Sequence, residues 1–455
     1  MRKRQGSGVR GPGPGAARAA LAALVAALGC GAWLGAETVR MTADEAAERA
    51  VSVSHAAAAA QARAAAAGET ANSADAAALP ALSLGASLAQ RSSVPEFAAP
   101  LNGPQQPAVV IAPDITTTYG AGLRLQQALY AGGAITAQRQ AARHDATAAA
   151  AARSATVAEL RLAARLAYWD AVRTAASVEV AVAQEERARR LLDDTQALFD
   201  AGMAVRADVL AARERIASAR VQLVAARAQS ANATAQLASL LDVDAQDTLE
   251  LADSLAGSLP AAPADARSLE DAALAQRPAL AAAAEQGEAA RARRTAAGGL
   301  ALPSLGALGQ FDVARPNARY FPQEDAWKRS WSVGLQASWT VFDGGKARAD
   351  VAAAGFAERA ALQDREELAR RIRLEVANDR RNLESAVAAV EAADAARAAA
   401  GEREKEAEER HAAGLAPMVD ILDAQAQLAA ADQQQVNARA ASWAAAAVLA
   451  RAVGR

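Results

Sequence analysis

The side chains most able to do chemistry are scattered along the chain and lack catalytic or metal-ligand spacing. His55, His144 and His411 lie far apart, and no other ligand residues cluster around them, so we expect them on the surface. The run Asp343-Gly344-Gly345-Lys346 has residue types of a phosphate-binding loop, but it lacks the leading glycine and continues with Ala347. No Ser/His/Asp or Cys/His combination is supported. The sequence therefore predicts no enzyme, no metal site and no cofactor.

One pair of carboxylates has an informative spacing. Asp420 and Asp423 are three residues apart, which puts them on one face of a helix. Asp420 could instead cap the start of that helix, and Asp208 shares this alternative. Asp423 lies inside the predicted helix, so capping explains it less well. The other carboxylates alternate with arginines, which is typical of solvated helix faces.

The composition favours long helices that pack through small side chains. Alanine dominates, aromatic residues make up 4% of the chain and charged residues 22%. The net charge is −2 and no basic stripe is present, which argues against a nucleic-acid partner. The single cysteine excludes a disulfide framework.

The first 36 residues have the pattern of a signal peptide. A basic start is followed by an apolar segment at 19–28 and by small residues before Glu37, where we predict cleavage. Lipidation of Cys30 is the alternative, although Ala27 stands where the lipoprotein pattern favours leucine. Beyond residue 36 no apolar run reaches about 18 residues, so we expect no transmembrane helix.

Two long stretches, 134–200 and 345–412, contain no proline and almost no glycine. Each predicts one helix of about 100 Å at ~1.5 Å per residue, too long for a globular domain. Shorter return helices are predicted at 207–241 and 418–452. Helices of this length favour a coiled-coil rod or the wall of a helical assembly.

The two halves of the sequence repeat each other. Gly202 and Gly414 belong to matching turns, and the same interval of 212 residues (414 − 202) relates the other matches. The other matched pairs are Gly122-Leu123 with Gly334-Leu335, Tyr130–Gly133 with Phe342–Gly345, and Asp208–Leu210 with Asp420–Leu422. We predict two repeats, 37–254 and 255–455, each with a helix, a strand hairpin, a long helix and a return helix. The hairpins are placed at 79–130 and 302–342.

Alternating residues indicate strands in both hairpins. In the segment 331–341, one face carries Trp331, Val333, Leu335 and Trp339, while serine, glycine and glutamine occupy the other. A soluble sheet could show this alternation, but four strands of about ten residues with nearby aromatics favour a membrane barrel, whose lipid-facing side would carry these four residues. Four strands cannot close a barrel, so at least two copies would have to assemble.

These features together resemble the TolC-type outer-membrane efflux proteins. The resemblance covers nearly all of the chain after residue 36: the opening helix at 42–47, the duplicated hairpins, the Gly-Gly steps, and two Ala-Gly turns each followed by Asp-(Val/Ile)-Leu. It implies a mainly α fold with a membrane β part. In that fold three protomers contribute four strands each to a 12-stranded barrel, which continues as a long α-helical barrel.

The resemblance also implies a function in the bacterial outer membrane. Channels of this kind form the outer part of tripartite efflux or secretion systems and export substrates passively across the periplasm and outer membrane. Their implied partners are a periplasmic membrane-fusion adaptor, an inner-membrane pump and outer-membrane lipid.

The resemblance assigns roles to the helical turns. Gly202, Met203, Gly414 and Leu415 match the tips that touch the adaptor, and the alternative is a plain turn capped by glycine.

Asp420 and Asp423 match the acidic pore gate, where rings of carboxylates would select cations. His411 and Ala416 stand where some members carry an aromatic residue and an arginine that hold the gate closed. The sequence therefore does not predict how tightly this tip closes.

A periplasmic coiled-coil adaptor or scaffolding protein is the alternative function. It accounts for the long helices but not for four amphipathic strands. Drug efflux and protein secretion are not distinguished, and neither is the pump. Metal export is less favoured because methionine and histidine are sparse.

Overall fold

The computed structural model describes residues 38–99, 109–244, 248–261 and 265–455. The predicted signal peptide and Cys30 lie outside this part. Within it, the prediction of a mainly helical chain with a small β part is confirmed. The eight described helices are α1 (Ala43–Val53), α2 (His55–Ala76), α3 (Ala134–Asp200), α4 (Arg206–Leu240), α5 (Ala266–Gln276), α6 (Pro278–Gly299), α7 (Lys346–Ala412) and α8 (Met418–Val453).

Two long helical hairpins dominate the molecule. Helices α3 and α7 have 67 residues each, and each is followed by a return helix, α4 or α8, of about half that length. Alanine at the contacts allows the helices to approach closely. Midway along, the rings of Trp169 in α3 and Trp443 in α8 stack with centroids 4.8 Å apart, which ties one hairpin to the other.

Each long helix starts from a pair of glycines with positive φ. Gly132 and Gly133 have φ of 61° and 82°, and Gly344 and Gly345 have 69° and 92°. At Gly132 a Cβ atom would overlap the backbone carbonyl of Gly299 at the end of α6. Only glycine therefore fits where the strand turns into α3.

Four of the strands form one antiparallel sheet. It contains β2 (Ala81–Gln90), β5 (Thr117–Ala131), β7 (Ser304–Arg315) and β8 (Lys328–Ser338), in the order β2-β5-β7-β8. The central pair, β5 and β7, joins the two halves of the sequence. Among the described residues, β2 and β8 are paired on one side only, so the sheet has two open edges.

A second β element lies where the long helices are half-way along. Strand β1 (Thr38–Met41) pairs in parallel with β6 (Thr248–Leu251), about 210 residues away in the chain. The hydroxyl of Tyr168 in α3 fastens this pair, because it donates to the carbonyl of Met41 at 3.0 Å and accepts from the N–H of Asp253 at 3.0 Å. Burial raises the pKa of Tyr168 to about 12, so this hydroxyl keeps its proton.

The structure differs from the sequence predictions at several strand ends. A short hairpin of β3 (Phe97–Ala99) and β4 (Val109–Ala112) was not predicted. The expected strand 331–341 starts earlier and ends at Ser338, so Trp339 is not a strand residue. The physical reason is that β7 starts at Ser304, the partner of Ser338, and offers no backbone beyond it. The indole N–H of Trp339 donates instead to the carbonyl of Ala301, at 3.2 Å.

Among the described helices, none combines the length and the apolar character needed to cross a bilayer.

Candidate functional site

The turn between α3 and α4 ends the first helical hairpin. Gly202 has φ of 75°, and its N–H donates to the carbonyl of Phe199 at 2.9 Å. The N–H of Met203 donates to the carbonyl of Leu198 at 2.8 Å. These two bonds form a Schellman motif, which stops the helix without using any side chain. The Met203 side chain is left 73% exposed at the tip.

The turn between α7 and α8 repeats this geometry. Gly414 has φ of 73° and donates to the carbonyl of His411 at 2.8 Å, and Leu415 donates to the carbonyl of Arg410 at 2.8 Å. The Leu415 side chain is also 73% exposed. Each hairpin thus ends in a rigid backbone turn that leaves a large apolar side chain, Met203 or Leu415, exposed to solvent.

Asp208 and Asp420 occupy equivalent positions after the two turns but differ in their contacts. The Asp208 carboxylate accepts from the N–H of Val205 at 3.2 Å and so satisfies a backbone donor at the start of α4. The residue equivalent to Val205 is Pro417, which has no N–H. Asp420 therefore has no such donor to bind. Neither aspartate is the N-cap residue, because Val205 and Pro417 hold that position, and only Asp208 supports its helix start.

Asp420 and Asp423 share the exposed face of α8. The opposite face carries Met418 and Ile421, which are buried against Leu191 of α3 and neighbouring residues of α4. Within the described part of the chain, neither aspartate side chain has a hydrogen-bond or ion-pair partner. The structure therefore holds two unneutralised carboxylates next to the second tip, on a helix whose other side is anchored.

His411 contributes to the second tip in a way that the sequence did not indicate. Its ring Nδ1 lies 2.8 Å from the carbonyl oxygen of Ala416. Because a carbonyl can only accept, Nδ1 carries the hydrogen and donates it across the turn. Only His55 is exposed as predicted, because His144 is also half-buried, with Nδ1 2.7 Å from Glu285.

The pairing register gives the four-stranded sheet one apolar face. Residues that are paired across neighbouring strands lie on the same face, and one such row across all four strands is Leu84, Leu123, Phe311 and Trp331. Val333 and Leu335 lie on the same face, and Val333 is 77% exposed. Further members of this face are Leu82, Leu88, Tyr119, Leu125, Val313 and Ala337.

The opposite face of the sheet is polar and concave. Its side chains are serine, glutamine, glycine and other small residues, with few charges. Polar-face residues from all four strands line a single open depression of about 1050 Å³. The sheet therefore curls with its polar face inside and its apolar face outside, as the wall of a membrane barrel does.

Aromatic residues collect at the end of the sheet away from the helices. The rings of Tyr119 and Trp327 lie 5.9 Å apart, and Trp331 follows on the same apolar face. Trp339 lies at the other end of the sheet, near the helices. Amphipathic rings at both ends of an apolar band are typical of membrane interfaces.

A buried ionic cluster joins the helical hairpins, where the sequence had indicated only solvated charges. Asp432 of α8 is 6% exposed and binds Arg187 of α3 at 3.1 Å and Arg397 of α7 at 2.7 Å. The signal was present, because Asp432 continues the buried stripe of α8 that includes Leu428. A carboxylate on such a stripe requires a buried partner.

Glu404 of α7 belongs to the same cluster but is poorly neutralised. Its carboxylate lies 3.7 Å from Arg187 Nε and makes no hydrogen bond to any described residue. Burial raises the pKa of Glu404 above its usual range, and the charge of Arg187 offsets this only in part.

Solved structures share this fold. The outer membrane protein VceC of Vibrio cholerae has a TM-score of 0.74 at 19% identity, with 90% of this chain and 96% of that chain covered. The CmeC outer membrane channel of Campylobacter jejuni gives 0.74 at 16% identity, with 90% and 85% covered. The open state of the MtrE outer membrane channel of Neisseria gonorrhoeae gives 0.72 at 19% identity, with 90% and 88% covered.

Among curated protein sequences, none matches the chain significantly. The family model for outer membrane efflux proteins, in contrast, matches residues 46–242 and 269–455, which together span most of the sequence. The resemblance carried by the duplicated hairpins and tips is therefore confirmed at the level of the family: the chain belongs to the outer membrane efflux protein family.

Proposed function

We propose that the protein is the outer-membrane channel of a tripartite efflux or secretion system. It exports substrates passively across the periplasm and the outer membrane. An inner-membrane pump supplies the energy through a periplasmic adaptor. The leader at 1–36 directs export, and the halves 37–254 and 255–455 are repeats of one unit.

One observation carries the proposal: a sheet with an apolar convex face, a polar concave face and two open edges. Open edges cannot remain in lipid, because their backbone N–H and carbonyl groups would have no partners. Pairing β8 of one protomer with β2 of the next removes both edges. Three copies then supply twelve strands, a number within the known range of membrane barrels. Trp331, Val333 and Leu335 face lipid, and Trp339 lies at the inner interface.

The helical hairpins continue the channel through the periplasm. A 67-residue helix spans about 100 Å at ~1.5 Å per residue, which suits a tunnel rather than a domain core. The two tips end this tunnel. Gly202 and Gly414 shape them, and the exposed Met203 and Leu415 side chains contact the adaptor.

Asp420 and Asp423 form the gate at the narrow end. Three copies of each produce two rings of carboxylates that no described side chain neutralises. Such rings favour cations, and their mutual repulsion is balanced by the anchored face of α8. An adaptor function, the alternative, gives no role to the amphipathic sheet.

The first test is the mass of the particle in the membrane. The chain would be expressed in a Gram-negative host, extracted from purified outer membranes in detergent, and weighed by light scattering. We expect a protein mass of about three mature chains. One mature chain is somewhat lighter than the full sequence of 46.5 kDa. A periplasmic monomer or dimer that needs no detergent would contradict the channel and favour the adaptor.

A further inference from the structure

The polar face of the sheet carries two charges without partners. Most of its side chains are glycine, alanine, serine, threonine or glutamine. Lys328 at the start of β8 is neutralised by Glu324 at 2.8 Å. Arg124 of β5 and Asp312 of β7 have no hydrogen-bond or ion-pair partner on their side chains among the described residues. Both line the depression on the concave side.

The Asp312 side chain packs against the neighbouring strand, β5. Asp312 is paired with Gly122, and a Cβ atom on Gly122 would overlap its carboxylate oxygen Oδ1. The glycine therefore leaves room for the carboxylate to lie against β5, where it is half-buried. Arg124 is exposed and has more freedom, so the two groups differ in how firmly they are held.

The register sets the two charges at adjacent levels of the sheet. Arg124 is level with Gln310 and Ser332, whereas Asp312 is level with Gly122 and Ser330. The levels are two residues apart, or about 7 Å along the strands. In a closed assembly of three protomers, each level becomes a ring of three like charges.

We infer that Arg124 and Asp312 set the charge selectivity of the barrel section, as a cationic and an anionic ring among strand side chains that are mostly small or polar. This inference rests on the proposed channel function and adds a second selectivity element, far from the gate carboxylates. Both rings act on passing ions through their electrostatic field. We expect both substitutions to leave folding intact, because neither side chain makes a hydrogen bond or an ion pair to a described residue.

The test is the ion selectivity of the purified trimer in planar lipid bilayers under a KCl gradient. Arg124→Gln should raise the permeability ratio of potassium to chloride by about threefold with ~0.01 M salt on the dilute side, where screening extends over about 30 Å. Asp312→Asn should lower the ratio by a similar factor. At about 1 M salt both effects should nearly vanish, since the screening length falls to about 3 Å.

Arg329→Gln is the matched control. It removes the same charge from β8 near the outer end of the sheet, but its partner is Val313 on the apolar face. We expect wild-type selectivity from this variant. The double variant Arg124→Gln/Asp312→Asn should return close to the wild-type ratio.

Two outcomes separate the inference from the proposed function. A wild-type trimer that inserts but carries no ions would contradict the channel and the inference together. A conducting wild type whose ratio is unchanged in both single variants, or changed equally by Arg329→Gln, would overturn only the inference.

Discussion

Asp208 and Asp420 are equivalent in the sequence repeat, but only one of them has a backbone N–H group to bind. Asp208 binds the N–H of Val205, whereas the corresponding Pro417 offers Asp420 no donor. One repeat thus uses its carboxylate to stabilise a helix start, and the other leaves its carboxylate available for the proposed gate. The proline can be read from the sequence, but its effect on Asp420 needs the helix start to be known.

At the residue scale, we expect the double variant Asp420→Asn/Asp423→Asn to open the gate. Removing six carboxylates from a trimer removes the field that attracts cations and the electrostatic barrier that the two rings present to anions. Single-channel conductance should rise by about twofold or more, and cation preference should fall.

Asp208→Asn is the control for that experiment, because it changes the equivalent position in the first repeat. We expect unchanged conductance and a loss of about 0.3–1 kcal/mol in helix stability, because a negative charge near the N-terminus of α4 is removed. Equal conductance changes in both variants would argue against a gate at Asp420 and Asp423.

Glu404 makes the stability of the helical bundle depend on pH. Its pKa is raised in the folded protein, so its ionisation opposes folding. Wild-type stability should therefore fall as pH rises from about 4.5 through the raised pKa, relative to Glu404→Gln. The charges facing it are Arg187 and Arg190 on α3, Glu408 on α7 and Asp432 on α8.

The measurement is the thermal unfolding midpoint of the solubilised trimer between pH 4 and 8 for both proteins. The midpoint of Glu404→Gln should exceed that of wild type by a margin that grows with pH and then becomes constant. A margin that shrinks with rising pH would mean that Arg187 lowers the pKa of Glu404 more than burial raises it.

At the scale of elements, the glycine pair before α3 fixes how the sheet meets the helices. Gly132→Ala should disrupt this junction for two reasons. The new Cβ atom would overlap the carbonyl of Gly299, and alanine would have to adopt a positive φ. Gly133→Ala has the same backbone requirement but no atom within 4 Å of its Cβ.

We expect Gly133→Ala to lower the free energy of unfolding by about 1–2 kcal/mol per protomer. Gly132→Ala should lower it clearly more and should also reduce the amount of assembled trimer. Trimer yield and unfolding midpoint on purified membranes would measure both. Equal effects would show that backbone strain, and not the close approach of α6, governs the junction.

The long helices could be predicted because breakers are absent over some 67 residues. Strand faces were predictable from alternation, since Trp331, Val333 and Leu335 lie on one face of β8 as predicted. The parallel pair β1–β6 was not predictable, since four-residue strands carry little signal and their partners are about 210 residues apart. Trp339 was misplaced because alternation continues past the residue where β7 stops offering a partner.

At the scale of the whole molecule, the proposed channel requires a second chain to pair the two edges that are open among the described residues. Edges β2 and β8 are separated by two strands, about 14 Å, so a disulfide between them must join different protomers. The sequence contains one cysteine, Cys30, within the predicted leader, so introduced cysteines would be unique in the mature protein.

We therefore expect Ser83→Cys, combined with cysteine at Ser330, Ser332 or Gln336 in turn, to give cross-linked dimers and trimers at one of these positions. All four side chains lie on the polar face. Denaturing electrophoresis without reductant would resolve the products. Ser83→Cys with Leu335→Cys is the control, because Leu335 points to the opposite face. Monomers alone in every combination would exclude pairing of β8 with β2.

The number of strands per chain limits what the sequence could predict about assembly. Four strands per chain predict that one copy is insufficient, but the count of three came from the family resemblance and not from the residues. The candidate gate and tips were likewise located by motif. Their rigidity, through the Schellman turns and the burial of Ile421, became evident only in the structure.

A sheet with two open edges has a consequence in genetics. Because every protomer of the proposed trimer must supply an edge to both neighbours, a subunit with one defective edge would disable each ring that it enters. A cell that makes normal and edge-defective subunits in equal amounts would assemble them at random, and only about one trimer in eight would be wholly normal. Loss-of-function alleles in β2 or β8 should therefore be dominant, whereas alleles that prevent synthesis of the chain should be recessive.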